Sequence, residues 1–107
     1  MENSIIEKKI SDSFKRTIIY LENVMVVVCD FSNGPMEEPE LPHFHSNEQI
    51  TYVAEGEILF FMDGIEHQMK KGDMIAVSPG IKHCIKTLSK EVKLIDSFTP
   101  IRKDFLL

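Results

Sequence analysis

The sequence has only Cys29 and Cys84 to offer a disulfide framework, too few to staple a small secreted scaffold. A reducing cytoplasm is therefore the expected setting. Basic residues are also scarce: Lys and Arg number 12 against 17 Asp and Glu, for a formal net charge of -5. A nucleic-acid surface needs a basic stripe, so nucleic acid is not an expected partner. The deficit leaves room for a small anion, because one arginine and a metal can dominate the local field. No apolar run approaches a membrane span, and Met1-Glu2-Asn3-Ser4 opens no signal peptide, so no membrane association is expected. Low-complexity tracts and internal repeats are lacking too. At 107 residues the chain has length for one domain with its own core, residues 1–107.

What is present is a series of short apolar runs separated by turn residues. Ser4–Phe14 places Ile5, Ile6, Ile10 and Phe14 near helical spacing, as a helix or a loose arm. Thr17–Leu21, Val24–Phe31, Ile50–Ala54, Glu57–Met62, Ile65–Met69, Met74–Val77, Lys82–Leu88 and Val92–Phe98 read as strands. Asp63-Gly64 between two of them is a strong hairpin turn. Many short strands with at most one helix predict an all-β antiparallel sandwich or barrel. Val24–Phe31 is apolar on both parities, which calls for cover on both faces. Ile58–Met62 likewise carries more apolar residues than one face buries, and a second copy of the chain, a homodimer, would supply the cover.

The chemistry gathers at His43–Gly56. Side chains alternate along an extended segment, so His43 and His45 point the same way and form half of a metal site. Gln49 shares their parity, while Glu48 beside it is turned to the other face of a regular strand. The remaining histidines are His67, in the Asp63-Gly64 hairpin, and His83, which closes Ser78-Pro79-Gly80-Ile81-Lys82-His83. In the last strand Val92, Leu94, Asp96 and Phe98 share the more apolar parity, which turns Asp96 inward. A carboxylate in an apolar cavity has a raised pKa, suited to proton transfer. The alternative is a structural aspartate satisfied by backbone N–H groups or by Arg102.

These residues resemble the cupin family. His43, His45 and Gly56 fit its first motif, with Gln49 in place of the usual glutamate and Glu37 at the leading glycine, Gly34 lying nearby. Gly72, Gly80 and His83 fit the second motif, with Ser78 at the proline position beside Pro79 and Thr87 at the asparagine position. The resemblance implies a small double-stranded β-helix, or jelly-roll, barrel whose ligands converge inside it. It implies one divalent ion held by His43, His45, Gln49 and His83, with Glu48 as the competing fourth ligand. The tail from Asp96 to Phe105 is similar to the signature of cupins linked to pectin degradation. That likeness implies opening of 4,5-unsaturated uronate sugars to the linear keto form. By position Asp96 would be the catalytic acid–base, Phe98 would pack the sugar, and Arg102 would hold its carboxylate and assist catalysis.

A neutral glutamine leaves the full charge on a dipositive ion, which makes it a stronger Lewis acid than a carboxylate-bound one. The reaction moves no electrons, so zinc, nickel, iron or manganese would each serve. An oxygen-using cupin, needing a redox metal, and a non-catalytic sugar- or metal-binding module are the competing readings.

Overall fold

A computed structural model describes residues 4–107. Among them the chain forms nine strands and a short 3-10 turn at Lys103–Leu106. The strands are β1 Ile6–Ser11, β2 Phe14–Tyr20, β3 Met25–Phe31, β4 Glu48–Glu55, β5 Glu57–Met62, β6 Ile65–Lys70, β7 Met74–Val77, β8 His83–Thr87 and β9 Val92–Thr99. All pair antiparallel, in a six-stranded sheet of order β1-β2-β3-β9-β4-β7 and a three-stranded sheet of order β6-β5-β8. This is the all-β jelly-roll architecture that the motifs imply.

Alternation builds the core between the sheets. Met25, Val27, Cys29 and Phe31 of β3 are buried, while Val26, Val28 and Asp30 lie half-covered on the outer face. Ile18, Val27, Val53, Ile58 and Phe60 meet in the centre. The β5–β6 hairpin turns at Asp63-Gly64 with both residues at positive φ, 52° and 79°, as the turn chemistry predicts. Gly56, which ends the first motif, has φ 83°, and a Cβ there would collide with the carbonyl oxygen of Glu91. Only glycine lets β4 pass into β5 at that point.

Ser4–Phe14 departs from its helical spacing. It holds β1, paired with β2 so that Ile6 lies opposite Ile18. Ile5 and Ile10 remain exposed, so the helical stripe never finds a surface to cover, and only Ile6 and Phe14 pack against the core. The free edge of β2 offers backbone hydrogen bonds that a short isolated helix cannot match with tertiary packing.

The register lays the inward side chains of the large sheet in rows. Tyr20, Met25, Phe98, Gln49 and Val77 form one row, and Ile18, Val27, Asp96 and Thr51 the next. Arg16, Cys29 and Leu94 form the row beyond. These rows carry the polar groups that face the cavity between the sheets.

Candidate metal centre

His43 and His83 come together through a single antiparallel bridge. The His43 N–H donates to the His83 carbonyl at 3.0 Å, and the His83 N–H returns the bond at 2.9 Å. The Gly80 N–H holds the His45 carbonyl at 2.9 Å, which fastens the second-motif loop to the first. One ligating atom from each of His43, His45 and His83 lies within 4.8 Å of the others, a cluster able to hold a metal ion. Phe44, between the two histidines, points to solvent, as alternation requires.

The hydrogen bonds of the His83 and His45 rings each leave one ring nitrogen free to ligate. Nδ1 of His83 donates to the Ile81 carbonyl at 2.8 Å, and its buried Nε2 has no partner. Burial lowers the His83 pKa to about 4, and His43 is lowered for the same reason, so both rings are neutral at neutral pH. Nδ1 of His45 donates to the Asn47 carbonyl at 3.1 Å, which leaves Nε2 as an acceptor facing Oε1 of Gln49 at 2.9 Å.

The orientation of Gln49 follows from its other neighbours. With Asp96 ionised, the Thr51 hydroxyl donates to Oδ1 of Asp96 at 2.6 Å. Thr51 can then only accept, and the Gln49 amide N–H donates to it at 2.9 Å. Oε1 of Gln49 therefore meets Nε2 of His45 lone pair to lone pair. Two ligands each about 2.1 Å from a metal, at right angles, are about 3 Å apart. The donor set thus fits a divalent ion. Glu48 is exposed, and Gln49 is buried beside the cluster.

Asp96 lies on the far side of this relay. It also accepts from Sγ of Cys29 at 3.6 Å. Desolvation raises its pKa to about 6, against the lowering effect of the Thr51 and Cys29 hydrogen bonds and the Arg16 charge. Phe98 is buried, with its ring 5.7 Å from His45 in an edge contact. Arg102 lines the same cavity, but its Nε and Nη2 are engaged by the Asp104 carboxylate at 3.1 and 2.7 Å. Asn47, just before β4, staples the tail by donating to the Pro100 carbonyl at 2.6 Å.

Other predicted positions fall elsewhere. His67 is half-buried on β6, apart from the cluster. Thr87, at the asparagine position, accepts from the Met36 N–H at 3.0 Å and so pins a loop. Sequence reading missed Arg16, Glu40, Cys29 and Phe105, all of which line the cavity. Glu40 is a second carboxylate there, raised by desolvation first.

Fold and site together define a cupin with a three-histidine centre. The cupin domain family matches residues 28–98, and the chain belongs to it. The pectin degradation protein KdgF of Dickeya dadantii (strain 3937) is 32% identical over 100 residues, covering 92% of this chain and 89% of that protein. An RmlC-like cupin from Shewanella frigidimarina NCIMB 400 superposes with TM-score 0.83 at 29% identity, covering 98% of this chain and 99% of that one. KdgF from Halomonas sp. superposes with TM-score 0.82 at 24% identity over 94% of this chain and 90% of that one.

Proposed function

We propose that this cupin is a metal-dependent enzyme of pectin breakdown that opens 4,5-unsaturated uronate monosaccharides to the linear keto sugar. The observation that carries the reading is Asp96: a carboxyl with a pKa of about 6, hydrogen-bonded through Thr51 to Gln49, in the cavity next to the three-histidine cluster. Similarity to the pectin degradation protein KdgF over most of both chains supports it. His43, His45, Gln49 and His83 would hold the ion, which when bound supplies Lewis-acid polarisation of a substrate oxygen.

The chain's own residues do the rest. Ring opening of an unsaturated hemiacetal gives an enol, which must lose a proton at oxygen and gain one at carbon to become the ketone. Asp96 takes the first proton and returns it to carbon, so the step is redox-neutral and Asp96 ends as it began. Phe98 packs the sugar, and Arg102 faces its carboxylate. A cytoplasmic homodimer completes the reading. Its support is the outer face of the large sheet, where Ile50 and Met74 are 52% and 68% exposed.

Turnover of unsaturated galacturonate, followed by loss of its conjugated-alkene absorbance alongside metal analysis, tests the proposal. Metal-loaded protein should outpace the uncatalysed reaction and give the keto sugar. Metal-loaded protein no faster than buffer overturns it and favours a binding module.

A further inference from the structure

The cavity holds a second guanidinium. Arg16 of β2 lies opposite Cys29 of β3, one inward row beyond Asp96. Same-face rows of a sheet are roughly 7 Å apart, within reach of an arginine side chain. Going along the rows, the cavity offers Gln49 beside the histidines, then Asp96, then Arg16.

Aromatic rings hold Arg16 in place by its face. Its guanidinium carbon is 4.0 Å from the Phe105 ring centroid and 5.2 Å from that of Phe14, which stacks on Phe31 at 4.3 Å. A guanidinium stacked on phenyl rings keeps its N–H groups in its own plane, free for a planar acceptor. Arg102 stacks on the same Phe105 ring at 4.2 Å, but its fork is occupied by Asp104. Among the described residues Arg16 makes no ion pair and no side-chain hydrogen bond. It is a half-buried cation lining the cavity, with donors that no other described side chain engages and that are open to an anionic ligand.

We propose that Arg16 is a second carboxylate-binding residue of this cavity, gripping the acid group of the substrate in addition to Arg102. The inference rests on the sugar-acid reading of the site and gives it a direction. The carboxylate end lies toward Arg16, and the end to be opened lies toward the histidines, with Asp96 between. Glu40 and Asp96 line the cavity and repel an anion, so the free guanidinium decides where a carboxylate settles.

The test is calorimetric binding of D-galacturonate and of neutral D-galactose to metal-loaded protein. The parent should bind galacturonate more tightly than galactose. Arg16→Gln should lose about 10- to 100-fold in galacturonate affinity with galactose unchanged, the loss expected for a charge-assisted fork. Arg16→Lys keeps the charge and loses the fork, so it should fall between the two. Melting temperature and metal content identify a variant that fails to fold, in which case Arg16→Lys carries the test. Galacturonate bound equally by the parent and either variant overturns the proposal. So does an equal loss for both sugars, or a parent that does not bind galacturonate. Turnover is a separate readout: no ring opening by the parent, with galacturonate affinity still lost in Arg16→Gln, removes the reaction and keeps the anchor.

Discussion

Replacing Asp96 with asparagine keeps the shape of the side chain and removes its proton. The amide oxygen still accepts the Thr51 hydroxyl, now 2.6 Å from Oδ1, and the amide N–H₂ turns toward Sγ of Cys29, now 3.6 Å from Oδ2. The relay to Gln49 therefore survives, and metal content should equal that of the parent. General acid–base groups contribute about 10²–10⁴-fold, or about 3–5 kcal/mol of transition-state stabilisation, and turnover should drop by that factor. Stability should move the other way. The Asp96 pKa is raised from 3.8 to about 6 by burial, so its folded form binds the proton more readily than its unfolded form. The parent thus loses stability as pH rises through about 4 to about 6, by on the order of 3 kcal/mol for a shift of that size. Metal-free Asp96→Asn should melt higher than the metal-free parent at pH 7, with the gain fading below pH 4. An asparagine variant as fast as the parent removes Asp96 from the mechanism. A variant slow but no more stable at pH 7 leaves the rate role and refutes the buried-charge account of its pKa.

Alanine at both His43 and His45 should abolish stoichiometric divalent metal, measured by elemental analysis of protein purified without chelating resin; full retention places the site elsewhere. His83, lowered to about 4, binds fewer protons folded than unfolded, so metal-free parent should lose stability as pH falls from about 6.5 to about 4. Chemical unfolding of the parent against His83→Gln checks this, since the glutamine variant should lack that part of the slope. Gln49→Glu should bind a divalent ion more tightly by calorimetry and turn over more slowly. Light scattering at micromolar concentration should give the mass of a dimer, and a monomer mass sinks the outer-face interface.

The histidines were legible because their information is local. His43 and His45 are two residues apart, the motif spacing brings His83 to them, and parity alone turns Asp96 inward. The Asp63-Gly64 turn was legible for the same reason, since its positive φ values are written in the residue types. Arg16 and Cys29 were not, because their role is set by register between strands far apart in sequence: Cys29 reaches Asp96 across 67 residues. The apolar run predicts a strand from Thr17, whereas β2 begins at Phe14. That left Arg16 outside any alternating face. The alternation Phe14, Arg16, Ile18 was the signal available, masked by a charge at the middle position. Phe105 acts through a contact that the local sequence does not encode: the tail folds back to place its ring against both Arg16 and Arg102.

Gln49 shows why a glutamine can stand where a carboxylate is the family habit. The position has two neighbours with opposite needs: the histidine cluster wants an oxygen lone pair, and Thr51 wants an N–H. An amide has one of each: its N–H donates to Thr51 at 2.9 Å, and its Oε1 keeps a lone pair on the histidine side, where an ion would take it up. A glutamate would give the ion its oxygen but leave Thr51 without a donor, and the Thr51 hydroxyl would be contested by two carboxylates. The second carboxylate would also raise the pKa of Asp96 further by like-charge repulsion. The glutamine thus does two things at once: it leaves the charge of a bound ion undiminished, and it keeps Asp96 free to ionise near pH 6. On the proposed function, one side chain tunes both the metal site and the proton-transfer group, so a change at position 49 should alter both together.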